Sequence, residues 1–186
     1  VLSFALLCAV SSVSSTAEAA RGLEARDLVT LDRYSAPTLS PNGRMLVFAK
    51  RSVDFAANKS ATSLWIENLS ARDAAPPKRL TPEGWNVNSP AFSPDGSTVY
   101  FLSAKSGSQQ LYALPAAGGT PKLLTELPVD VGGYKLSPDG KRVALTLEAF
   151  ADCRADLTCT RKRLDDTAAR KSSGVLHDKI FVRHWD

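Results

Sequence analysis

Apolar positions along the chain come in short runs bounded by Gly, Pro, Asn or Asp, and three of the runs follow the same four-residue turn. Ser40-Pro41-Asn42-Gly43 leads into Met45-Leu46-Val47-Phe48-Ala49, Ser93-Pro94-Asp95-Gly96 into Val99-Tyr100-Phe101-Leu102, and Ser137-Pro138-Asp139-Gly140 into Val143-Ala144-Leu145-Thr146-Leu147. Proline at the first central position presets φ, Asp or Asn tolerates the second, and glycine follows where φ turns positive. Such a turn between two β-runs predicts a hairpin, with upstream strands in Ala36-Pro37-Thr38-Leu39, Ser89-Pro90-Ala91-Phe92 and Gly133-Tyr134-Lys135-Leu136. Recurrence of one turn at intervals of roughly 45 to 55 residues marks a repeat architecture.

The first repeat, residues 36–83, places strands at 37–39, 45–50, 64–69 and 78–81, with the polar residues 54–63 read as the link between the second and third. The second, 88–127, repeats the order at 90–92, 98–103, 110–114 and 121–125. Its fourth strand, Pro121-Lys122-Leu123-Leu124-Thr125, nearly copies Pro77-Lys78-Arg79-Leu80-Thr81. The third, 133–186, keeps strands at 134–136 and 142–149, is interrupted by an insertion over 150–179, and resumes as a strand over 179–185. Within the insertion, residues 161–171 have helix-forming composition and offsetting charges, which predicts a short solvated helix. Ahead of the repeats, Leu23, Leu28 and Leu31 fall near one face and predict a lead-in helix within 20–35. Four antiparallel strands repeating at this length make a propeller blade. The predicted fold is therefore all-β, a partial β-propeller of four-stranded antiparallel blades, about three of them, behind a short N-terminal helix. Because propellers close with about four to eight blades, the chain reads as the N-terminal part of a longer protein whose missing blades cover its last edge.

The first nineteen residues change this picture at one end. Val1 to Val10 is apolar and uncharged, a Ser-rich stretch follows, and Ala17-Glu18-Ala19 suits cleavage before Ala20. This predicts an export signal over 1–19, truncated at its start, and a periplasmic or secreted protein with no membrane anchor once the signal is removed. Two cysteines then remain, Cys153 and Cys159, both in the insertion. In an exported protein the pair is most simply a local disulfide, with free thiols as the alternative; zinc needs two more ligands, and neither His177 nor His184 stands at a customary spacing.

Composition adds little: 44% apolar, 23% charged and a formal charge of +4 describe an ordinary globular chain. The basic residues are scattered among 19 acidic ones, which predicts a mixed solvated surface and no nucleic-acid partner. The sequence holds no Gly-x-Ser-x-Gly elbow, no His-Glu-x-x-His and no phosphate-binding glycine loop, so no catalytic, cofactor or metal position is assigned. His177 and His184 read as structural, and Trp65, Trp85 and Trp185 as packing between blades.

The Ser-Pro-Asx-Gly turns with their flanking strands resemble the repeats of periplasmic TolB proteins and of prolyl oligopeptidase-family serine peptidases. Three stretches are similar to exported dipeptidyl or acylaminoacyl peptidases of that family: residues 25–41 leading into the first blade, the insertion with Asp152-Cys153 and Leu157-Thr158-Cys159-Thr160, and the ending from His177 to Asp186. The resemblance implies a propeller that caps a C-terminal α/β-hydrolase domain and admits short peptides, with a Ser–Asp–His triad performing acyl transfer. The triad is expected beyond Asp186. The alternative is a non-enzymatic TolB-like propeller that binds partner proteins. Either reading leaves self-association open.

Overall fold

The computed structural model describes residues 21–70, 75–172 and 174. A short helix, α1 (Ala25–Thr30), precedes the first blade, whose strands are β1 (Arg33–Leu39), β2 (Met45–Asp54), β3 (Lys59–Asn68) and β4 (Lys78–Arg79). The second blade holds β5 (Val87–Phe92), β6 (Thr98–Ser103), β7 (Gln110–Pro115) and β8 (Lys122–Leu123). A two-stranded sheet, β9 (Val131–Leu136) with β10 (Val143–Leu147), begins the third, and α2 (Leu157–Ala168) follows. All pairings are antiparallel between sequence neighbours, in the orders β1-β2-β3-β4, β5-β6-β7-β8 and β10-β9. This is the all-β partial propeller with a short N-terminal helix. The segment read as an export signal, the returning strand at 179–185, His177, His184 and Trp185 lie outside the described residues.

Each repeated turn is closed by its serine. Ser93 Oγ donates to Asp95 Oδ1 at 2.5 Å and accepts from Thr98 N at 2.9 Å, while Asp95 Oδ1 also accepts from Ser97 N at 3.0 Å. Ser40 and Asn42 repeat the pattern in the first blade, Ser137 and Asp139 in the third. Every turn thus satisfies its own backbone donors, which leaves its proline and glycine free to meet neighbouring blades.

Three boundaries differ from the sequence reading. Strand β1 starts at Arg33, inside the stretch read as lead-in helix, because Arg33 and Tyr34 pair with Arg51 and Lys50 of a long β2. Residues 54–63 are not a loop: β2 and β3 continue to a tight turn in which Ala57 N donates to Asp54 Oδ1 at 3.0 Å and Asn58 takes φ 49°. Their polarity marks a hairpin end that projects past the core. The fourth strands are two residues long because the Thr side chain takes over the ladder; Thr81 Oγ1 accepts from Leu64 N and Thr125 Oγ1 from Leu111 N, both at 2.9 Å.

Strand alternation divides the core between two junctions. Val99 and Phe101 of β6, with Tyr112 and Leu114 of β7, pack against Val47, Ala49, Leu64 and Ile66 of the first blade. Tyr100, Leu102 and Leu111 point the other way, to Val131, Leu145 and Leu147 of the third. Trp85 joins the first junction, edge-on to Tyr112 at 5.2 Å and to Phe101 at 6.4 Å. Each fully buried Leu or Phe contributes about 1.5–3 kcal/mol, so these junctions, not the turns, hold the blades together.

Candidate functional site

Two concavities lie at opposite ends of the blades. The first, of about 520 Å³, follows the innermost strands β1, β5 and β9, with Leu39, Pro90, Phe92 and Tyr134 among its walls. Strands β1 and β5 each bulge ahead of a proline, at Ala36 and Ser89, both with φ 51°, a left-handed conformation uncommon for residues with a Cβ. The bulge of β5 turns carbonyls out of the ladder: Thr38 Oγ1 donates to Pro90 O at 3.1 Å and Tyr134 Oη to Ser89 O at 2.8 Å. Hydroxyls from both neighbouring blades therefore hold the bulged strand. Burial pushes the Tyr134 phenol well above the usual tyrosine range, so it stays a proton donor across the working pH range.

The second concavity, about 470 Å³, separates α2 from the ends of β9 and β10. Asp156 caps α2, its Oδ1 accepting from Thr158 N at 2.9 Å and Cys159 N at 3.0 Å, which starts the helix at Leu157, earlier than the predicted 161. Cys153 and Cys159 are joined as a disulfide across Cα atoms 5.6 Å apart, fixing the first turn of α2 to the preceding loop. Arg163 pairs with Asp152 and lies over the Phe150 ring, 4.6 Å from its centre. Through these ties Thr160, Arg161 and Leu164 face Gln109, Asp130 and Glu148 across the cavity. Thr160 is 2% exposed, and its hydroxyl has no partner among the described residues. Arg161 bonds Asp165, which holds that carboxyl below the usual range.

The sequence reading singled out the cysteine pair but missed the glutamines opposite it. Gln110, 2% exposed, donates through Nε2 to Ser108 Oγ and to the Leu127 and Val129 carbonyls, and its Oε1 accepts from Thr125 Oγ1 and Leu127 N. Gln109 N donates to Asp130 Oδ1 at 2.7 Å and its Nε2 to Val131 O at 2.8 Å. Gln109 thus ties the second blade to the first strand of the third, and Gln110 holds the link that leads to it. The only signal available was two adjacent amides opening an apolar strand. Among the described residues no group of three or more His, Cys, Asp or Glu side chains could hold a metal ion. The walls of the two concavities present carbonyls, hydroxyls, carboxylates and apolar surface.

The blades, with the groove along β1, β5 and β9, define a fragment of a β-propeller. The chain belongs to the family described as the dipeptidyl peptidase IV (DPP IV) N-terminal region, whose family model matches residues 56–152. A dipeptidyl-peptidase 5 of Porphyromonas endodontalis is 28% identical over 160 residues, covering 86% of this chain and 22% of that protein. Among solved structures, a puromycin-hydrolyzing peptidase of Mycobacterium tuberculosis superposes with a TM-score of 0.51 at 19% identity over 62% of this chain and 19% of its own. An acylaminoacyl peptidase of Pyrococcus horikoshii superposes with a TM-score of 0.50 at 18% identity over 62% and 17%. At those identities the two structures speak for the fold alone. The chain spans 22% of the length of the Porphyromonas relative.

Proposed function

We propose that this chain forms the first blades of a propeller in an exported serine peptidase that releases dipeptides or acylated amino acids from peptide N-termini. The carrying observation is the family match over residues 56–152, joined by the similarity to a protein named as a dipeptidyl-peptidase. The blades' task in this reading is to narrow the way in, so that only short peptides reach a Ser–Asp–His triad on a hydrolase domain. The axial groove, walled by apolar side chains and braced at its bulges, suits an extended peptide. A periplasmic or secreted location is supported by the signal-like residues 1–19 and by the bridged Cys153 and Cys159, since local disulfides persist where thiols are oxidised.

The test is hydrolysis by the complete gene product of fluorogenic dipeptidyl amides and acetyl-aminoacyl amides, with and without a serine-directed organophosphate. One of the two classes is expected to turn over and to be inhibited, while residues 20–186 alone turn over neither. A complete product that cleaves neither class would remove the peptidase reading and leave a binding propeller.

A further inference from the structure

The first of the repeated turns carries asparagine where the others carry aspartate: Ser40-Pro41-Asn42-Gly43 against Ser93-Pro94-Asp95-Gly96 and Ser137-Pro138-Asp139-Gly140. An asparagine side chain can lose ammonia when the backbone nitrogen of the next residue attacks its Cγ. A following glycine favours that closure, since it has no Cβ to crowd the nitrogen and its backbone turns freely. Asn42 is the one asparagine of the sequence followed by glycine; Asn58, Asn68, Asn86 and Asn88 precede Lys, Leu, Val and Ser.

In the folded turn both reacting groups are engaged elsewhere. Gly43 N donates to Ser40 O at 2.9 Å, and Gly43 is held at φ 68°. Asn42 Oδ1 accepts from the Ser40 hydroxyl at 2.7 Å and from Arg44 N at 3.0 Å. That hydroxyl, on a serine only 4% exposed, accepts in turn from Met45 N at 2.9 Å. Two donors on Oδ1 polarise the carboxamide as an oxyanion hole would, which by itself favours attack. The nitrogen is the lock: it must leave Ser40 O, give up its proton and swing toward Cγ, and none of this happens while the hairpin is paired. Closure therefore waits for the turn to open.

We propose that Asn42 is a deamidation site kept shut by its own turn. When the turn opens, a bond forms between Gly43 N and Asn42 Cγ, the Cγ–Nδ2 bond breaks, and the amide leaves as ammonia with the proton from Gly43 N. Water then opens the cyclic imide at one of its carbonyls, giving aspartate or isoaspartate at position 42. The fold treats these products differently. Aspartate restores the arrangement of the later turns, where Asp95 and Asp139 accept the same bonds from a serine hydroxyl and a backbone N–H. Isoaspartate lengthens the main chain by a methylene ahead of Gly43, so its nitrogen no longer meets Ser40 O. The damage reaches the blade junctions, because the glycine of each turn rests on the proline ring of the turn before it. A methyl group on Gly96 would lie 3.4 Å from Pro41 Cδ, and one on Gly140 would lie 3.3 Å from Pro94 Cδ. The proposal stands apart from the peptidase reading, because its readouts are mass and stability, not turnover.

The complete gene product is incubated in mildly alkaline buffer, folded and in guanidinium chloride, and its peptides are followed by mass spectrometry for the gain that marks a carboxamide becoming a carboxylate. In the unfolded chain Asn42 is expected to convert ahead of Asn58, Asn68, Asn86 and Asn88. In the folded protein its conversion is expected to be slower by about tenfold or more. Equal rates in the two states would overturn the lock, and an Asn42 that converts no faster than the other asparagines when unfolded would overturn the site. Asn42→Asp tests the product: its Tm at neutral pH is expected to equal or exceed the parent's. A lower Tm would show that the first turn rejects the aspartate that the later turns hold, and would overturn the proposal.

Discussion

At the scale of single residues the repeated turn is where sequence and structure agree most closely. The roles of Pro94, Asp95 and Gly96 followed from backbone preferences alone, but that of Ser93 did not, because a hydroxyl that both donates and accepts is defined only once the strands are paired. The bonds from the Ser93 hydroxyl and from Ser97 hold the Asp95 carboxyl at about 2, against an ordinary 3.8. A carboxylate depressed on folding contributes stability above about pH 4 and loses it as pH falls toward 2. Asp139 is lowered by the same kind of bonds. Asn42 fills this position in the first blade without titrating. Asp95→Asn is accordingly expected to lower stability modestly at neutral pH and to make it less sensitive to acid between about pH 4 and 2, as followed by circular dichroism.

At the scale of elements, strands were legible wherever apolar residues alternate, and their lengths were not. Residues 54–60 are exposed because this end of the hairpin projects past the core, which composition cannot tell from a loop. The helix of the insertion was legible from its charges, but its start depended on the cap Asp156, which lies inside the disulfide loop three residues before Cys159. The Cys153–Cys159 bridge closes a short loop and contributes about 2 kcal/mol to the order of that segment. Replacing both cysteines with serine is expected to remove hydrogen-exchange protection from the amides of α2 while those of β6 keep theirs, because no residue of α2 belongs to either apolar junction.

At the scale of the molecule, the order of the blades along this chain could be read from the turn spacing, whereas the way blades join could not. Gln110 shows why: it links a strand to carbonyls 17 and 19 residues away, a distance at which periodicity says nothing. Gln110→Leu keeps the bulk but orphans Leu127 N, two carbonyls and the Thr125 hydroxyl, and is expected to cost about 3 kcal/mol in urea unfolding. The second cavity was illegible for the same reason, since Thr160 and Glu148 meet across an insertion. The axial groove was half legible, because inner strands follow from the hairpins but the bulges at Ala36 and Ser89 do not.

One consequence of the two-sided packing concerns symmetry. Each blade offers the glycine of its turn to the side it came from and the proline to the side that follows, so its two faces are different objects. A two-fold axis through such a face would set glycine on glycine and leave both prolines without a seat. A contact between copies that reuses the glycine-on-proline seat is therefore head-to-tail, and must either close into a ring or continue as a filament.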